Sequence, residues 1–86
     1  GERRRGVVMA RLRLFAQARE AAGTAEADLV GDSVAEVLEA ARAAFGEGFA
    51  AVLAHSAIWL NGEPAEGNAR VAASDEVAVL PPISGG

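Results

Sequence analysis

From Val8 to Phe15 the chain alternates: Val8, Ala10, Leu12 and Leu14 fall on one face, and Met9, Arg11, Arg13 and Phe15 on the other. A period of two predicts a half-buried strand. The alternation breaks between Ala16 and Gly23, and that stretch ends in a turn residue. It resumes from Ala25 to Val30, with Ala25, Ala27 and Leu29 opposite Glu26, Asp28 and Val30. Paired as a hairpin, the two strands bring Arg11 and Arg13 onto the same outer face as Glu26 and Asp28. Opposite charges across a strand pair stabilise it by roughly 0.2–1 kcal/mol each.

The period then changes. Val34, Val37, Leu38, Ala41 and Phe45 recur at helical spacing, and Glu36, Glu39 and Arg42 take the opposite face. Ser33-Val34-Ala35-Glu36 is a capping box, in which the Ser33 hydroxyl accepts the Glu36 N–H and the Glu36 carboxylate returns to the Ser33 N–H. Gly46 closes the helix, which therefore runs from about Val34 to Phe45. A short second helix is expected over Phe49 to Ala54, and a third strand over Ala57 to Leu60. Asn61-Gly62 signals a tight turn, since that turn type needs positive φ at both central residues. A short strand is expected around Arg70 and Val71. The last strand, Glu76 to Leu80, has Val77 and Val79 inward and Ala78 and Leu80 outward, and Pro81-Pro82 stops it.

Strand, strand, helix, strand, short strand, strand is the order of an α+β domain in which one main amphipathic helix covers a mixed sheet. This is the β-grasp, or ubiquitin-like, fold. Of the 44 apolar residues, 21 are alanine, so the larger apolar side chains suffice for one core and not two. The expected organisation is a disordered extension over residues 1–8, then a single β-grasp domain over 9–86 with a flexible tail at 81–86. The opening Gly-Glu-Arg-Arg-Arg-Gly has no hydrophobic stretch behind it and does not read as a signal peptide. No apolar run approaches the roughly 20 residues of a membrane span.

Composition narrows the chemistry further. There is no cysteine, which removes a disulfide scaffold, a thiolate metal site and a cysteine nucleophile. All eight basic residues are arginine, so there is no lysine for Schiff-base or P-loop chemistry. Twelve acids give a net charge of −4, and from Met9 onward eleven acids face five arginines. An acidic domain favours a basic protein partner and argues against nucleic acid. The single histidine, His55, has no nucleophile nearby in sequence, and Asp75-Glu76 reads as a turn into the last strand. No cluster offers the three or four ligands of a metal site. An independent enzyme is improbable on this inventory.

The tail is the remaining chemical feature. A carboxylate is ionised at neutral pH and inert to nucleophiles, but an enzyme can activate it by attaching AMP. Six extended residues, Pro81 to Gly86, span roughly 20 Å, and glycines without a Cβ pass through a narrow channel where other residues collide. A stiff diproline root and a slender Gly-Gly tip suit delivery of a terminal carboxylate into another protein's active site.

With these features the chain resembles the small, sulfur-carrying subunit of molybdopterin synthase, the MoaD family. The resemblance covers Met9 to Gly86. It rests on Leu14-Phe15-Ala16-Gln17-Ala18-Arg19-Glu20, on Asp75-Glu76-Val77-Ala78, and on Pro81-Pro82-Ile83-Ser84-Gly85-Gly86. It implies that Gly86, with Gly85 beside it, is adenylated by a ubiquitin-activating-like adenylyltransferase that uses ATP, and is then converted to a thiocarboxylate with the help of a sulfur donor protein. The large synthase subunit would use that sulfur to build the dithiolene of molybdopterin from cyclic pyranopterin monophosphate. The chain itself would be a non-catalytic, cytoplasmic subunit that binds no cofactor or metal. Where the family often has glycine before Asp-Glu-Val, this chain has Ser74.

A carrier needs a docking surface. If Ile58 and Leu60 face the helix, Trp59 faces out with Phe15, Ala78 and Leu80, and such residues anchor interfaces. Slipping the facing by one residue would instead bury Trp59. The expected partner-binding set is Phe15, Trp59, Leu80, Pro81, Pro82, Ile83 and Ser84. Two other functions share the tail: a sulfur carrier for thiazole, cysteine or tRNA thiolation, and a ubiquitin-like protein modifier.

Overall fold

The computed structural model describes residues 8–82. Its element order is β1 (Met9–Leu14), α1 (Ala16–Ala22), β2 (Glu26–Val30), α2 (Val34–Phe45), α3 (Glu47–Leu53), β3 (Ala57–Leu60), β4 (Glu63–Pro64) and β5 (Glu76–Leu80). The strands form one mixed sheet in the order β2-β1-β5-β3-β4. β1 and β5 are parallel neighbours, with Leu12 beside Val77 and Leu14 beside Val79. β2 pairs antiparallel with β1, and β3 antiparallel with β5. This is the β-grasp arrangement that the hydrophobic pattern implies, with β1, α2, β3 and β5 close to their expected bounds.

Alternation along the strands builds the core. Ala10, Leu12 and Leu14 from β1 and Val77 and Val79 from β5 point inward and are buried. Val34, Val37, Leu38 and Ala41 of α2 cover them, with Ala18 of α1 and Phe49 and Leu53 of α3 completing the cluster. Phe49 is the largest fully buried side chain. Its ring meets Phe45 edge-on, centroids 5.2 Å apart, across the junction between α2 and α3. That junction is Gly46, whose φ of 90° lets the chain end one helix and start the next.

The structure departs from the sequence reading in several places. The stretch after β1 is a helix, α1, and not merely a break; it ends at Gly23, whose φ of 80° is left-handed. α3 runs from Glu47 to Leu53, starting two residues and ending one residue earlier than Phe49–Ala54. The extra strand is not at Arg70 and Val71. It is the two-residue β4, the return arm of the Asn61-Gly62 turn, pairing Leu60 with Glu63 and Trp59 with Pro64. Arg70 makes only an isolated bridge to Ser33, and Val71 is buried in the core. The capping box is half as expected: the Glu36 N–H donates to Ser33 Oγ at 3.2 Å, but the Glu36 carboxylate accepts from the Asp32 N–H at 2.8 Å, one residue earlier. The Gly31 N–H donates to the Val8 carbonyl at 3.0 Å, so the β1–β2 ladder reaches back to Val8. The remainder of the N-terminal extension and residues Ile83, Ser84, Gly85 and Gly86 lie outside the described residues.

Candidate functional surface

The face of the sheet turned away from the helices divides into two halves. One is charged. Arg11 bridges to Glu26 at 3.2 Å and to Asp28 at 3.1 Å. Arg13 bridges to Glu76 at 3.0 Å and reaches Glu26 at 3.8 Å. These are the cross-strand pairs that the alternation of β1 and β2 predicts, extended to β5. The hydrogen bond to Asp28, then the charges of Asp28 and Glu26, hold the Arg11 guanidinium above its ordinary pKa.

The other half is apolar. Cross-strand pairing sets Trp59 beside Ala78 and Ala57 beside Leu80, and Phe15 emerges where β1 hands over to α1. Phe15 is 41% exposed and Trp59 37%. With Ala78 and Leu80, and with Arg13, Glu76 and Gly62, they line a shallow groove of about 260 Å³. Trp59 therefore faces outward, while Ile58 and Leu60 pack against the core. Large apolar side chains grouped on an exposed face are a mark of protein–protein contact.

The expected site residues sort by position. Phe15, Trp59 and Leu80 come together in the groove. Pro81 follows directly from β5 and is buried, whereas Pro82 is exposed. The groove thus sits at the root of the tail. Three of its residues, Arg13, Gly62 and Glu76, were not singled out from the sequence as part of a binding surface. The alternation that puts Arg13 on the same face as Phe15 was the signal available. His55 lies in the exposed turn after α3. Among the described residues no three histidine, aspartate or glutamate side chains group together as metal ligands, and no helix is long and apolar enough to cross a membrane.

Asp75 anchors the turn before β5. Its carboxylate accepts the Ala72 N–H at 2.8 Å, and its own N–H donates to the Ala72 carbonyl at 3.0 Å. The Ala72 bond, followed by one from the Asn61 side chain, draws the carboxyl below its ordinary pKa. Ser74, where glycine was expected from the resemblance, has a φ of 73°, the left-handed region glycine favours.

Known proteins share this architecture. The solution structure of small archaeal modifier protein 1 from Methanosarcina acetivorans is 30% identical, with a TM-score of 0.81, over 94% of this chain and 99% of that one. The crystal structure of its counterpart from Haloferax volcanii is 29% identical, with a TM-score of 0.77, over 91% of this chain and 99% of that one. The complex of subunits 1 and 2 of molybdopterin-converting factor from Helicobacter pylori contains a chain 25% identical, with a TM-score of 0.69, over 92% of this chain and 100% of that one. No curated protein matches the sequence. The ThiS family model matches residues 12–86, nearly the whole chain, and with the five-stranded sheet and its three helices this makes the protein a member of the ThiS family of ubiquitin-like sulfur carriers.

Proposed function

We propose that the protein is the small subunit of a molybdopterin synthase and carries sulfur on the C-terminal carboxyl of Gly86. The observation that carries this reading is the placement of the apolar groove of Phe15, Trp59, Ala78 and Leu80 at the end of β5, where Pro81-Pro82 lead into Ile83-Ser84-Gly85-Gly86. In this reading a partner that grips the groove sits next to the root of the tail at Pro81. The H. pylori relative is described as a complex of two subunits, which supports a large-subunit partner here.

In this mechanism the Gly86 carboxylate attacks the α-phosphate of ATP in an adenylyltransferase, and pyrophosphate leaves. Hydrosulfide, sulfur at the sulfide level handed over by a donor protein, attacks the acyl carbon and displaces AMP, giving a thiocarboxylate. In the large subunit the sulfur passes to the pterin precursor, and water restores the carboxylate. The chain is the substrate and donor in these steps, and the catalytic groups and ATP belong to its cytoplasmic partners. With no cysteine in the chain, a persulfide on its own side chains is excluded and the carboxyl is the place for sulfur.

A second reading, attachment to other proteins as a modifier, is favoured by the likeness to small archaeal modifier protein 1. The same activated Gly86 would then be captured by a lysine amine of another protein. The chain has no lysine of its own, so it could not form chains through its own side chains. Mass spectrometry after incubation with an adenylyltransferase from the same genome, ATP and a sulfur donor distinguishes the two. A carrier gains the mass difference between sulfur and oxygen on its last peptide, and a modifier yields isopeptides on lysines of added protein. Neither product, or sulfur mapped elsewhere than Gly86, would overturn both readings.

A further inference from the structure

We propose that Arg13 is a positioning residue that holds the Phe15 ring upright at the rim of the groove and so keeps the groove open for an apolar side chain of the partner. The inference rests on the docking role given to this face above and adds a residue to it. Arg13 and Phe15 are two positions apart and project from the same side of the chain as it leaves β1. The Arg13 guanidinium lies 5.9 Å from the centre of the Phe15 ring, over its face. Its Nη1 is fixed by Glu76 at 3.0 Å, and its Nε is drawn towards Glu26 at 3.8 Å. Arg13 thus spans from the charged half of the sheet face into the apolar half, tethered on both neighbouring strands.

An exposed phenylalanine beside other apolar groups would be expected to fold down over them. Here Leu80, Ala78 and Trp59 lie within the same groove, so a collapsed Phe15 would fill the space a partner needs. A planar cation held against one face of the ring opposes this collapse and leaves the other face free. The backbone contributes as well. Phe15 is extended, with φ −125° and ψ 152°, and is followed by Ala16 with a φ of 50°. That left-handed step is disfavoured for alanine, and it turns the chain into α1 while Phe15 remains outside. A binding surface held in its bound shape avoids the ordering loss of immobilising a side chain on contact.

The test has two parts. In the free protein, three-bond couplings measured by nuclear magnetic resonance report the Phe15 side-chain rotamer. One rotamer should dominate in the wild type, and Arg13→Ala should average it while the amide spectrum of the core is unchanged. If Phe15 keeps the same single rotamer in Arg13→Ala, the inference is wrong, whatever the protein binds. The second part is calorimetry with the large synthase subunit from the same genome. Arg13→Ala should bind about tenfold more weakly, the scale expected for ordering one side chain. In a Phe15→Ala background the Arg13 substitution should change nothing. An equal tenfold loss in that background would mean that Arg13 touches the partner directly, and the positioning role would fall. Failure of the wild type to bind the large subunit would count against the molybdopterin reading alone, leaving the rotamer measurement to decide the role of Arg13.

Discussion

Asn61 and Glu76 are joined twice. The Asn61 N–H donates to the Glu76 carbonyl at 2.8 Å, and the Glu76 N–H donates to Asn61 Oδ1 at 2.9 Å. One residue of the β3–β4 turn therefore pins the start of β5 through both its main chain and its side chain. Asn61 also has a φ of 52°, a conformation that asparagine tolerates better than most residues. Replacing Asn61 with alanine removes the side-chain bond and adds left-handed strain, so it should cost about 1–2 kcal/mol. Asn61→Gly loses the same side-chain bonding without that strain, a gain partly offset by the freedom of glycine in the unfolded chain, and should cost less. Urea denaturation of both variants separates the two contributions, and equal losses would show that backbone conformation is not involved.

Ser74 precedes β5 in the left-handed region without such compensation from its own side chain in the described hydrogen bonds. Ser74→Gly should stabilise the fold by about 0.5–1 kcal/mol, the relief of strain being partly offset by the greater freedom of glycine in the unfolded chain. A β-branched valine at the same position should destabilise it. Thermal melts showing the opposite order would rule out strain at this turn.

Phe49 is fully buried in the core cluster, its ring edge-on to Phe45 of α2. Phe49→Ala should cost about 3–5 kcal/mol, a large share of the stability of a domain this size. A loss below 1 kcal/mol by chemical denaturation would mean that α3 is not part of the cooperative core.

Asp75 gives a pH dependence with a definite sign. Its folded pKa lies below the ordinary 3.8 because the charged form accepts hydrogen bonds from Ala72 and Asn61. The carboxylate therefore adds stability above that ordinary value, and the contribution is lost as the pH falls through the lower, folded pKa. Asp75→Asn should be less stable than wild type at neutral pH, with the difference shrinking in strong acid. A pH-independent difference would assign the effect to packing.

On the docking face, Trp59→Glu and Leu80→Asp should leave the fold intact and weaken binding to the large subunit by about 2 kcal/mol or more, roughly 30-fold. Calorimetry that finds wild-type affinity in both would move the interface elsewhere.

Much of this was legible in the chain because alternation and helical spacing are geometric. β1, α2, β3 and β5 each carry branched or large apolar residues on one side, and the same alternation exposed the Arg11–Asp28 pairing and the outward Trp59. α1 was not legible for a physical reason. Of its seven residues Ala16–Ala22, four are alanine, which leaves little difference between its faces, and Phe15 caps it with no side-chain hydrogen bond. β4 was hidden by Pro64, a residue that argues against a strand except at an edge, which is where it sits. The Glu36 carboxylate accepts from the Asp32 N–H and not from that of Ser33, and the neighbouring bridge of Ser33 with Arg70, made through the Val34 and Val71 N–H groups, is a tertiary contact that local sequence does not encode. The groove needed three separated segments to meet, so its wall of Arg13 and Glu76 emerged only with the register.

The central place of β5 in the sheet, with β1 on one side and β3 on the other, has a bearing on how the protein is made. A nascent chain that has not yet released Glu76–Leu80 lacks the strand that joins the two halves of the sheet, so β2-β1 and β3-β4 remain separate hairpins, which are marginal in water. The cooperative fold becomes available only after synthesis has passed Leu80, the last residue of β5. Ribosomal products broken off earlier stay unfolded and open to proteolysis, while those that fold contain the whole of β5. The topology thereby acts as a length check, biasing the folded population towards chains that include all five strands.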